Sequence, residues 1–295
     1  MKYRIENQYL RVEANSLGGS LSSILDKERN NEILYQPETD SWQGQDVAIF
    51  PFVARLKGKE YTHKGKRYSL KNHGLCRYYP FELIQLSPEA MTLLFVSSEE
   101  TLKEYPFPFR FEIHYSLKGK CLNVEYIVKN EGEETMPFGI GAHPAFYLNG
   151  EEIAGEIDTS KNAIFFKNPA KLTRICFDDK GEMVLGEEDF GTRESISLDK
   201  KLVRLYGTLC VKGEGISDVL LKRVDGTKVS FHYDNIEYFV LWSFPETGHF
   251  VAIEPWMSLP DYADAELEIT KKKTLLHLPK GETYTFRYSI RIDEE

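Results

Sequence analysis

Phe109-Arg110-Phe111-Glu112-Ile113-His114-Tyr115-Ser116-Leu117 alternates apolar with polar residues, Lys118-Gly119-Lys120 interrupts it, and the alternation resumes at Leu122, Val124, Tyr126 and Val128. A period of two broken by a glycine-bearing turn predicts an antiparallel hairpin with one face buried. The pattern recurs on both sides. Tyr61-Thr62-His63 returns through Lys64-Gly65-Lys66 to Arg67-Tyr68-Ser69-Leu70, and Phe81 to Leu86 returns through Ser87-Pro88-Glu89-Ala90 to Met91 to Val96. Tyr284, Phe286, Tyr288, Ile290 and Ile292 carry it to the C-terminal end, and 13% aromatic residues supply the side chains that half-buried strands favour. No long segment has a 3.6-residue apolar period, and no GxGxxG or GxxxxGK motif follows a strand, which disfavours nucleotide-binding α/β folds. The fold class is therefore all-β and antiparallel, with a few short helical turns.

No linker, repeat or low-complexity tract divides the chain, so its 295 residues are expected to form a single domain over 1–295. Two polar stretches read as surface. Asp178 to Gly191 is expected to be a long loop excursion, and Lys271-Lys272-Lys273 a solvated strand end.

With 37 basic and 46 acidic residues the formal charge is −9, which argues against a nucleic-acid partner and fits a small neutral substrate better. No run of apolar residues is long enough for a signal peptide or a membrane span, so a cytoplasmic location without membrane contact is expected. The four cysteines are widely spaced without CxxC pairing, and the seven histidines contain no HExxH. Reduced thiols, and no metal or cofactor, are expected.

Chemistry concentrates in a few segments. Met136-Pro137-Phe138-Gly139-Ile140-Gly141-Ala142-His143-Pro144-Ala145-Phe146 sets a histidine between small residues and a proline at a strand end. Gly139 and Gly141 admit close approach of a ligand or another backbone, and Pro144 biases His143 toward an extended conformation. An isolated histidine bonded to a carbonyl in the core is the competing reading. In Phe250-Val251-Ala252-Ile253-Glu254-Pro255-Trp256 a carboxylate follows an apolar run. Partial desolvation there raises its proton affinity and makes it a candidate general base, with a structural salt bridge as the alternative. Phe50-Pro51-Phe52-Val53-Ala54-Arg55-Leu56 and Asn72-His73-Gly74-Leu75-Cys76-Arg77 each present polar groups among apolar or small neighbours, Arg55 offering forked donors suited to sugar hydroxyls.

The ordered set of Arg55 in FPFVARL, His73 in HGLCR, His143 in GIGAHPAF and Glu254 in IEPW resembles the aldose 1-epimerase, or galactose mutarotase-like, superfamily, and its LacX-type branch most of all. The resemblance runs from about Trp42 to the last strand. It implies a single-domain β-supersandwich whose concave face holds a sugar, and an isomerase that interconverts hexose anomers. By the same resemblance His143 is the acid and Glu254 the base, while Arg55 and His73 bind sugar oxygens. One position departs. Where a LacX-like chain reads Asp-Ala-Leu with a sugar-contacting aspartate, this one has Gly207-Thr208-Leu209, and Asp218 is a weak substitute. Arg77 is the candidate contact for a phosphate in the alternative reading, a hexose-6-phosphate 1-epimerase, which requires two or three converging cations. A non-catalytic carbohydrate-binding protein is the alternative outside enzymology. A small-molecule sugar is the expected partner, of a monomer or a homodimer.

Overall fold

A computed structural model describes residues 1–37, 42–148, 151–153, 156–158, 161–198, 207–243 and 249–293. The hairpin at the centre of the sequence forms where the alternation puts it. Phe109–Lys118 pairs antiparallel with Cys121–Asn130, and Gly119 takes the left-handed φ of 59° that the tight turn demands. Phe109, Phe111, Ile113, Tyr115, Leu122, Val124, Tyr126 and Val128 are wholly buried, while the residues between them on the first strand are partly solvated.

This hairpin lies inside a fifteen-stranded sheet. On one side Ala90–Val96 and Glu82–Leu86 complete the edge. On the other follow Thr283–Asp293, Lys228–Tyr233, Asp218–Lys222, Ala163–Phe177, Thr208–Gly213, Tyr238–Trp242 and Phe250–Trp256, then the short Gly141–Ala142 and Ala48–Ile49. A four-stranded sheet of Lys2–Glu6, Leu10–Asn15, Leu21–Asp26 and Asn31–Glu32 contributes Ile5, Val12 and Ile24 to the same core as Phe111 and Tyr126. Two sheets sharing one apolar layer make a sandwich. The predicted hairpin of Glu60–His63 with Lys66–Ser69 is present, and helix is confined to Thr101–Glu104 and three single 3₁₀ turns among the described residues. No helix there is long and apolar enough to cross a membrane.

Two surface expectations need correction. Asp178–Gly191 is not one loop: Val184–Ser197 pairs with Ala163–Phe177, leaving only Asp178–Met183 as a turn. This strand is solvated on both faces over much of its length, so no period-two signal marks it. Lys272 is not solvated either. It follows the 3₁₀ turn Ile269–Lys271, is 6% exposed and is ion-paired to Asp261.

Candidate active site

The histidine strand is broken at its functional residue. Gly141 pairs with Trp256 and Ala145 pairs with Ala252, both on Phe250–Trp256, in a register that continues across the gap. His143 therefore stands opposite Glu254, and its Nε2 lies 3.1 Å from Glu254 Oε1. The Ile253 N–H donates to the Pro144 carbonyl at 3.0 Å and closes the break. The two glycines admit close neighbours from the chain itself: a Cβ on Gly141 would meet the Trp256 side chain at 2.8 Å and the Pro255 carbonyl at 2.9 Å, and one on Gly139 would clash with the Ser258 side chain.

The pair is shielded from water, with 8% of the His143 side chain and 2% of the Glu254 side chain exposed. The Trp256 Nε1–H donates to Glu254 Oε2 at 3.1 Å, and Trp42, Trp242 and His73 stand with ring centroids 5.0, 5.4 and 5.5 Å from that of His143. Burial drives the His143 pKa down to about 3, its own backbone opposing this and the Arg77 charge reinforcing it. Burial also drives Glu254 well above the usual carboxylate range, against the Trp256 hydrogen bond and with help from the Asp46 charge. Both shifts favour the neutral forms over a separated imidazolium and carboxylate.

Asp46 supports the pair from beneath. It accepts the Leu21 N–H at 2.9 Å on Oδ2. The N–H dipoles of His143 and Val47 also draw on the carboxylate, although Oδ1 closes no full hydrogen bond.

His73 sits in a tight turn, with φ of 63° at His73 and 75° at Gly74. Gly74 lies so close to the Phe50 carbonyl that a Cβ would stand 2.4 Å from its oxygen. The Ala54 N–H donates to His73 Nδ1 at 3.2 Å, and the His73 N–H returns a bond to the Ala54 carbonyl at 2.9 Å. Burial first, then the His143, Arg77 and Arg55 charges, keep this imidazole neutral. With Nδ1 accepting, its proton resides on Nε2 and is available to a ligand.

These groups line a cavity of about 970 Å³, toward the upper end of the roughly 300–1,000 Å³ usual for small-molecule sites. Arg55, His73, Arg77, His143 and Glu254 all reach it. Arg55 Nη1 is held 2.9 Å from Glu182 on the Asp178–Met183 turn, and Arg77 stacks its guanidinium 5.3 Å from the Tyr78 ring. Asp218 does not join them. It faces His232 across the strand pair, 2.9 Å from Nδ1, outside the cavity lining. Gly207, at the position of the missing aspartate, and Thr208, opposite Trp242, line the cavity instead. The sequence reading also passes over Trp42, Trp242, Arg174, Lys180 and Glu182, which reach the site from separate segments. Each looks like ordinary strand or loop composition until the sheet is assembled. Among the described residues no cluster of three or more His, Cys, Asp or Glu side chains is arranged to hold a metal.

The family model described as aldose 1-epimerase matches residues 1–291. The chain belongs to the aldose 1-epimerase family. Membership makes it an isomerase of the epimerase type. Within that family it is similar to the plasmid-encoded protein LacX of Lactococcus lactis subsp. lactis, at 28% identity over 267 residues and 88% of each chain, which puts it in the LacX branch. Among solved structures, a galactose mutarotase related enzyme from Lactobacillus acidophilus superposes with a TM-score of 0.91 at 29% identity, covering 100% of this chain and 98% of that one. A galactose mutarotase-like protein from Lactobacillus casei shares the fold at a TM-score of 0.92 and 23% identity, covering 99% of this chain and 100% of the other. The aldose 1-epimerase fold explains why a carboxylate and an imidazole from distant segments meet on one wall of a broad cavity.

Proposed function

We propose that this aldose 1-epimerase interconverts the α and β anomers of a hexose, with Glu254 as general base and His143 as general acid. The observation that carries the reading is the 3.1 Å contact of His143 Nε2 with Glu254 Oε1 on the wall of a cavity large enough for a sugar. The reaction needs one proton shared by these two buried sites: one acceptor and one donor. Passage of that proton from Glu254 to His143 sets up carboxylate and imidazolium together. Glu254 then takes the proton of the anomeric hydroxyl while His143 gives its proton to the ring oxygen, and the C1–ring oxygen bond breaks to leave an open-chain aldehyde. Rotation about C1–C2 presents the other carbonyl face. Reclosure reverses both proton transfers and yields the opposite anomer. Only protons and an electron pair within the sugar move, so the step draws on no redox group. The His73 Nε2–H and the Arg55 guanidinium serve as donors to sugar oxygens, with Trp42 and Trp242 against the ring. The same reading takes residues 1–295 as one cytoplasmic domain, acting as a monomer or a homodimer.

A second reading, a hexose-6-phosphate substrate, is favoured by one observation: Arg55, Arg77, Arg174 and Lys180 line the one cavity. Converging cations are what a phosphate dianion requires. Asp178, Asp179 and Glu182 line it too and oppose that preference.

Optical rotation of freshly dissolved α-glucose, α-galactose and glucose 6-phosphate tests both. We expect faster mutarotation of at least one sugar, a loss of roughly 10²–10⁴-fold in His143→Ala and Glu254→Gln, and near-normal rates in His249→Ala, whose side chain lies outside the cavity lining. A preference for the phosphate ester that fades with added salt selects the second reading. No acceleration of any sugar leaves a non-catalytic binder and sinks the mutarotase assignment.

A further inference from the structure

Asp261 and Lys272 form an ion pair that the proton transfers do not use. Only 5% and 3% of their side chains are exposed. Lys272 Nζ donates to Asp261 Oδ1 at 2.8 Å, to Oδ2 at 2.6 Å and to the Glu266 carbonyl at 3.2 Å, which occupies all three of its hydrogens. Asp261 Oδ2 also accepts the Lys57 N–H at 2.9 Å. Withdrawing two charges from water costs several kcal/mol before their attraction is counted, so such a pair adds little net stability and acts better as a determinant of geometry.

The geometry it determines lies at the cavity wall. The Asp261 N–H donates to the Arg55 carbonyl at 3.2 Å, and the Asp261 carbonyl accepts the Val184 N–H at 2.9 Å. The Ala263 N–H adds a 2.9 Å bond to the Val184 carbonyl. Arg55 bears the guanidinium that reaches the cavity, and Val184 ends the turn carrying Glu182, the carboxylate 2.9 Å from Arg55 Nη1. Asp261 itself lies on the chain leaving the Glu254 strand. Three pieces of the site, from distant parts of the sequence, are thus bonded to one buried residue.

We propose that Asp261, fixed by Lys272, is a positioning residue that sets where Arg55 and the Asp178–Met183 turn stand over the cavity, and so governs sugar affinity and leaves proton transfer alone. The kinetic form of this inference rests on the mutarotase reading, whereas its geometric form does not.

Lys272→Met and Asp261→Asn in the full chain provide the test, using whichever of α-glucose, α-galactose or glucose 6-phosphate the parent protein turns over fastest. We expect KM to rise about tenfold with kcat within about twofold of the parent and an unmoved pH profile of kcat, the pattern of lost binding common to ground and transition states. Hydrogen exchange should quicken at least about tenfold at Val184 and across the Asp178–Met183 turn, with the Phe109–Asn130 hairpin unaffected. A merely structural role lowers Tm but leaves KM and local exchange unchanged, and that result overturns the proposal, as does a fall in kcat at constant KM. If Asp261→Asn does not fold, Lys272→Met and the double variant, which removes both charges, carry the test. If the parent turns over no sugar, the mutarotase reading fails and the exchange measurement alone decides the positioning role.

Discussion

Asp46 illustrates what a single residue does in this site. Its side chain touches no part of the proposed reaction, yet it is 5% exposed beneath His143 and its charge raises Glu254. Burial lifts its own pKa from 3.8 to about 6, against the N–H dipoles of Leu21, His143 and Val47. A carboxyl raised in this way contributes stability that is complete below pH 3.8 and lost as pH rises through about 6. The roughly hundredfold change in proton affinity corresponds to about 3 kcal/mol. Replacing Asp46 by Asn should therefore cost the protein more at pH 4 than at pH 7, a difference read from Tm of parent and variant across that range. A gap independent of pH would show that Asp46 titrates as an ordinary surface carboxyl. Nothing in Gln45-Asp46-Val47 announces this role, because burial of an isolated aspartate depends on what the rest of the chain lays over it.

At the scale of elements, the turn that carries His73 depends on contact between two segments. Leu75 N–H donates to the Phe50 carbonyl at 2.7 Å, and Gly74 pairs with Phe50 as an isolated parallel bridge. Gly74→Ala would add a left-handed alanine, costing about 1–2 kcal/mol, and a clash with the Phe50 backbone, costing about 1–3 kcal/mol more. We expect a lower Tm together with a roughly tenfold or greater loss of kcat/KM, since displacement of His73 moves its Nε2–H away from the sugar. A loss of Tm with kcat/KM intact would detach the turn from the site. The regular hairpins need no such contacts to be recognised, because alternation within one strand already records which face is buried. The strand Val184–Ser197 escapes that signal since water meets both its faces, and Lys272 escapes it since three adjacent lysines differ in depth only after folding.

At the scale of the molecule, the core behind the site is a cluster of aromatic rings. Phe111 lies 5.2, 5.9 and 5.6 Å from the rings of Phe50, Phe81 and Tyr126 and is wholly buried. Phe111→Ala should cost about 3–5 kcal/mol through lost burial and the cavity left behind, measured by denaturant unfolding, while kcat of the folded fraction stays near the parent value because Phe111 is not part of the cavity wall. A collapse of kcat without loss of stability would place Phe111 in the machinery instead. The sequence by itself determined the all-β class, the hairpins and the segments that matter, because strand period, turn residues and motif order are properties of neighbouring residues. Arg55, His73, Arg77, His143 and Glu254 were candidates on those segments, and all five line the cavity. Only the tertiary structure decided that His143 and Glu254 stand opposite each other in register, that Asp218 pairs with His232 away from the cavity while Thr208 faces it, and that Asp261 and Lys272 are buried. Register, strand order and depth are set by how distant strands pack against a shared core, and no local pattern records which distant strand becomes a neighbour.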